Sequence, residues 1–166
     1  MVMGMDARES LGAAAEWFAL PDAANGRDGT GLRFSCTMCG NCCTGPEGYV
    51  LVSDDEAGAL ARRLGLGVDD FVARYTRVTR EGRSLTERLT AAGYDCVFLD
   101  RETMAGKAVC GVYEDRPRQC RTWPFWPSNL RSRAAWEKAK RICPGMDKGQ
   151  LHELVQVRVA RDGFEI

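Results

Sequence analysis

The sequence predicts an α+β fold, a single small domain in which helices surround a short antiparallel β-hairpin and a cysteine-rich loop. Three observations carry this. Apolar residues at helical spacing, with capping signals, run from position 53 to about 78. Two strand-like runs, 94–99 and 108–113, flank a segment containing Gly106. A length of 166 residues suits one core without disulfide staples. The chain divides into an N-terminal helix and linker over 1–33, a cysteine-cluster domain over 34–149 and a tail over 150–166 that packs on it.

In chain order, Leu11, Ala14, Ala15 and Phe18 recur at helical spacing between Asp6 and Leu20, and Pro21 stops the run, giving an amphipathic N-terminal helix. Gly26 to Gly31 is a linker. Tyr49 to Val52 is short, apolar and strand-like, and leads into Ser53, which with Glu56 forms a capping box for a helix through Leu64. Gly65 and Gly67 end it. Phe71, Val72 and Tyr75 share one face of a second helix from Val68 to about Val78, with Asp69 and Asp70 in its first turn. Tyr94–Leu99 and Ala108–Tyr113 form the hairpin, with Cys96 and Cys110 one on each strand. Pro117 opens a short helix through Trp123, which Pro124 and Pro127 prevent from continuing. Asn129 to Ile142 reads as helical. The tail is ambiguous, because Leu151, Leu154, Val155 and Val159 suit a helix while Val155, Val157 and Val159 alternate as in a strand.

Lysine plus arginine equals aspartate plus glutamate at 23 each, so no global field draws the chain to nucleic acid or to an anionic membrane. No stretch approaches the roughly 20 apolar residues of a membrane span, and the N-terminus lacks a signal-peptide pattern. The sequence therefore reads as cytoplasmic, where thiols stay reduced and clustered cysteines signal metal or redox chemistry rather than a disulfide framework.

Residues 36–43, CTMCGNCC, place Cys36, Cys39, Cys42 and Cys43 in one short loop, and Cys96, Cys110, Cys120 and Cys143 complete the set. A C-x-x-C step lets a tight turn aim two sulfurs at a common centre, as in zinc knuckles and iron-sulfur loops. Gly40 gives the backbone freedom to curl there. Successive C-x-x-C steps match the opening of a bacterial ferredoxin loop, and Cys143 before Pro144 offers a distant fourth ligand. Cys43 breaks that spacing, and adjacent side chains are expected to diverge. The residues are thus grouped as Cys36, Cys39, Cys42 and Cys143 at one centre and Cys43, Cys96, Cys110 and Cys120 at another, with Cys96 and Cys110 as cross-strand neighbours. A single cysteine such as Cys120 or Cys143, taken alone, is equally a small hydrophobe of the core. CTMC and CGNC also admit a dithiol redox role, although no thioredoxin-like strand-to-helix context surrounds them.

Segment 116–141 is basic, with Glu137 as its one acid, and is a candidate docking surface for a protein partner. Within it Arg116, Arg118 and Arg121 flank Cys120, where cations would lower thiol pKa values and offset the charge of a multi-thiolate cofactor site. Arg131, Arg133 and Lys138 read as a solvated helix face. Trp123, Phe125 and Trp126 offer a dry wall against oxidant, or ordinary core. His152, the one histidine, reads as a surface residue.

FSCTMCGNCC at 34–43, YVLVSDDE, CVFLD at 96–100, CGVYEDRPRQCRTWPFW at 110–126 and CPGMDKG at 143–149 together resemble the YkgJ-type cysteine-cluster family, a zinc- or iron-chelating domain with the CxxCxxCC motif. The resemblance spans roughly 34–149. It implies metal chelation, with all eight cysteines carried over as ligands, and it supplies no reaction. Flagellin lysine methylases join a similar cysteine pattern to methyl transfer, but no Gly-rich nucleotide loop follows a strand here, so that activity is not transferred. The expected function is metal binding without intrinsic catalysis, through an iron-sulfur cluster (the 4Fe-4S type included) or zinc. The rivals are a redox, electron-transfer or methyltransferase-related iron-sulfur enzyme, and a structural zinc module that docks a partner protein.

Overall fold

The computed structural model describes residues 16–20 and 31–163. The expected N-terminal helix lies outside the described residues except at its end, where Trp17–Ala19 forms one 3-10 turn. The Gly26–Gly31 linker falls outside them too, apart from Gly31. Strand β1 (Leu32–Phe34) leads into the cysteine loop. Helix α1 (Asp54–Leu64) begins at the capping box as read, with the Ser53 side chain accepting from the Glu56 N–H and the Glu56 carboxylate accepting from the Ser53 N–H. Gly65, in the left-handed conformation at φ 68°, closes it.

Helix α2 (Val68–Tyr75) is shorter than expected. The Thr76 hydroxyl donates to the Val72 carbonyl at 2.7 Å, and its backbone is already extended, so the residues expected in the last helical turn become strand β2 (Thr76–Thr79). β2 pairs with β3 (Gly82–Leu85), and β4 (Glu87–Thr90) with β5 (Gly93–Cys96). Both hairpins turn on the same Thr-x-x-Gly chemistry. Thr79 and Thr90 donate their hydroxyls to the carbonyls of Gly82 and Gly93, and accept from the N–H two residues on.

The expected pairing of 94–99 with 108–113 is thus corrected. Tyr94 to Cys96 belong to the β4–β5 hairpin, and only β6 (Leu99–Asp100) meets β7 (Val109–Cys110). Cys96 faces Glu87 and Cys110 faces Leu99, so the two cysteines are not cross-strand partners. Gly106, at φ 71°, does sit in the connecting loop.

Helix α3 (Arg118–Thr122) starts just after Pro117. The run expected as one helix to Ile142 is two, α4 (Pro127–Leu130) and α5 (Arg133–Lys140), because Ser132 takes extended backbone and caps α5 by accepting from the Ala135 N–H. The ambiguous tail resolves into β8 (Met146–His152) and helix α6 (Leu154–Asp162). β8 pairs antiparallel with β1 through a register irregularity at Arg33/Phe34. The divisions drawn at 33/34 and 149/150 both fall inside this pair.

The result is α+β, with four two-stranded antiparallel sheets among the described residues. Two apolar cores form. One gathers Phe18, Leu32, Phe125, Leu130, Trp136 and Met146, and the other Val52, Leu60, Phe71, Leu85 and Val112. No helix among the described residues is long and apolar enough to cross a membrane.

Candidate metal centre

The cysteine loop is held by backbone hydrogen bonds on both sides. Cys43 N–H closes a turn onto the Gly40 carbonyl at 2.9 Å. Tyr94 N–H and Cys96 N–H donate to the carbonyls of Gly45 and Cys43, each at 2.8 Å, so the loop lies along β5 like an added strand. Ala108 N–H reaches the Met38 carbonyl at 2.8 Å, tying it to the approach to β7, while the Asn41 amide donates to the Ile142 carbonyl at 2.8 Å on the far side. Below the loop, Asp95, 3% exposed, accepts two bonds from Arg101 at 3.0 Å each.

These constraints bring cysteines from four parts of the chain to one cavity of about 290 Å³. Cys36, Cys42, Cys43, Cys96, Cys110 and Cys120 line it, between walls that belong to both cores, among them Leu85, Phe98, Val112 and Trp123. Cys39 and Cys143 are not in its lining. Cys143 is 7% exposed in the first core, where its sulfur accepts from the Trp123 indole N–H at 3.4 Å.

The expected partition therefore changes, because Cys36 and Cys42 line one cavity with Cys43, Cys96, Cys110 and Cys120, apart from Cys39 and Cys143. The expected divergence of Cys42 and Cys43 is also corrected. Their sulfurs are 3.6 Å apart. Two thiolates bound at about 2.3 Å to one tetrahedral zinc ion would be separated by about 3.8 Å. Among the described residues, no three His, Cys, Asp or Glu side chains are gathered closely enough to hold one metal ion. The thiols ring a space rather than a point.

Their protonation follows from burial and from one another. The hydrogen bond from Cys43 brings the Cys42 thiol down to about 7, against the opposing effect of burial. The same bond, with burial, pushes Cys43 up. Burial raises Cys96 to about 11, and raises Cys110 and Cys120 as well. Without metal, most of these thiols stay neutral near pH 7, so any ion that enters must displace protons.

Of the three arginines expected near Cys120, Arg116 alone faces the cavity. Arg118 and Arg121 line a separate groove with Val155 and Val159 of α6, and Arg121 pairs with Glu56 at 3.8 Å. His152 is half-buried rather than on the surface. Its Nε2 lies 3.1 Å from the Phe34 carbonyl, and its ring centroid is 4.9 Å from that of Phe125.

Sequence reasoning missed Gln119. Only 4% exposed, it accepts from Leu51 N–H at 2.7 Å and donates to the Tyr49 carbonyl at 3.1 Å, fixing one wall of the cavity. A polar residue between Arg118 and Cys120 gave no periodic signal, although a glutamine flanked by the apolar 49–52 run in space is the sort of residue that satisfies an unpaired strand.

The CxxCxxCC family, described as a putative zinc- or iron-chelating domain, matches residues 35–144. The chain belongs to this family. The match takes in the whole cysteine loop, both hairpin cysteines, Cys120 and Cys143. No solved structure matches the chain. A site rich in thiols, poor in imidazole and carboxylate, and walled by apolar side chains fits the softer of the family's metals, zinc and iron in thiolate coordination.

Proposed function

We propose that this protein holds an iron-sulfur cluster in the cavity between its two cores, with ligands drawn from Cys36, Cys42, Cys43, Cys96, Cys110 and Cys120. The observation that supports this most is the size of the thiol-lined space. At about 290 Å³ it has room for several atoms, where a lone ion needs less than one water's share of about 30 Å³. Apolar and aromatic walls would limit access of water and oxidant on the side of Cys96, Cys110 and Cys120, while Cys36 and Cys42 are exposed. Metal retention, rather than turnover, is the proposed activity, and the one histidine is engaged by Phe34 and Phe125 outside the cavity lining.

Zinc is the second reading, favoured by the 3.6 Å separation of the Cys42 and Cys43 sulfurs, which suits two thiolates on one tetrahedral ion. Anaerobic purification followed by iron, zinc and acid-labile sulfide analysis separates the two. Brown protein with sulfide supports the cluster, and colourless protein with zinc and no sulfide rejects it. Protein that takes up neither metal rejects both.

A further inference from the structure

Arg116 is the one charged side chain lining the thiol cavity. Its guanidinium lies 3.7 Å from the centroid of the Tyr113 ring, and its Nε–H donates to the Tyr113 carbonyl at 2.9 Å. Those contacts fix the stem and one face of the planar group, and among the described residues the Nη atoms have no hydrogen-bond partner. Among the described residues no carboxylate lies within ion-pair distance of it, whereas Arg63 and Arg101 each have one and Arg77 has two.

A part-buried guanidinium at the wall of a mostly apolar cavity, held by a ring and a carbonyl and not by a carboxylate, is placed to meet an anion that enters the cavity. Four thiolates around a divalent ion, or around a cluster core of charge +2, carry a net charge of about −2. We propose that Arg116, positioned by Tyr113, is the built-in counter-charge of the metal–thiolate centre, strengthening metal retention without ligating the metal. The inference rests on the cavity being the metal site. Arg118 and Arg121, though closer to Cys120 in sequence, have no such placement, because α3 turns them toward α6.

The test is competition between the full-length protein and a chromophoric chelator for zinc at fixed pH, using wild type, Arg116→Gln, Arg116→Lys and Tyr113→Leu, with thermal unfolding of each metal-free protein alongside. Losing a group that acts on metal ligands from outside the coordination sphere typically weakens affinity about 10- to 100-fold. That loss is expected for Arg116→Gln, with Arg116→Lys recovering most of it and Tyr113→Leu falling between. Equal affinity of Arg116→Gln and wild type overturns the inference, and so does Arg116→Lys binding as weakly as Arg116→Gln, since charge would then not be the operative property. Should Arg116→Gln fail to fold, Tyr113→Leu decides, and wild-type affinity in that variant overturns the positioning role. A wild-type protein that binds no zinc and no iron defeats the proposed function instead.

Discussion

A Cβ built on Gly40, whose φ is 76°, meets the Ala108 Cβ at 2.6 Å, so any side chain at this position must push the cysteine loop away from the approach to β7. Gly40→Ala is expected to cost about 1–3 kcal/mol in stability, checked by urea unfolding, and to lower bound metal per chain. Beside it, Asp95 and Arg101 form a pair with one deeply buried partner. Arg101→Ala removes the carboxylate's ion-pair partner and leaves it the Thr44 side chain, and Arg101's side chain is 38% exposed, so the loss should be nearer about 2 kcal/mol than the 3–5 of a fully buried pair. The bond from Arg101 holds the Asp95 carboxyl below the usual carboxylate range. Its contribution is therefore present above about pH 4 and disappears as pH falls toward the lowered folded value. Acid unfolding of Arg101→Ala should accordingly begin from a lower plateau and show a shallower pH dependence than wild type. The Cys96 thiol has the opposite sign. Raised by burial from 9.0 to about 11, it favours the folded metal-free protein below pH 9, and that preference is lost as pH rises through 11. This thiol alone should account for up to about 2 kcal/mol of stability lost across that interval, so Cys96→Ala should show a shallower fall, with the raised Cys110 and Cys120 thiols supplying the remainder.

At the scale of elements, legibility in the sequence followed locality. The capping box of α1, the glycine that ends it and the short helix after Pro117 were readable because their signals lie within a few residues of the structure they cause. The β2–β3 and β4–β5 hairpins were not read, although T-R-E-G and T-A-A-G repeat one turn, because the helical period of 68–75 masked the alternation of Thr76 and Val78. β8 was unreadable for a different reason. MDKGQLH has no β-branched residue, includes Asp147 and Gly149 at positive φ, and finds its partner more than a hundred residues away. Gln119 links such distant elements, joining α3 to the 49–52 segment. Gln119→Leu removes the partners of the part-buried Leu51 N–H and Tyr49 carbonyl, for an expected loss of about 1–2 kcal/mol by equilibrium unfolding.

Taken whole, the molecule places a thiol-walled space where its two cores meet, and the cysteines that reach it come from the loop, two hairpins and α3. The cysteine spacing announced a metal site. It did not announce which sulfurs converge, because Cys42 and Cys143 are sorted by the packing of Trp123 and the pairing of the loop with β5, neither of which leaves a mark in spacing. The direct test is iron, zinc and sulfide per chain in anaerobically purified Cys120→Ala and Cys143→Ala, compared with wild type. If the cavity is the metal centre, Cys120→Ala loses metal and Cys143→Ala keeps it. Retention by Cys120→Ala with loss in Cys143→Ala would place the metal elsewhere.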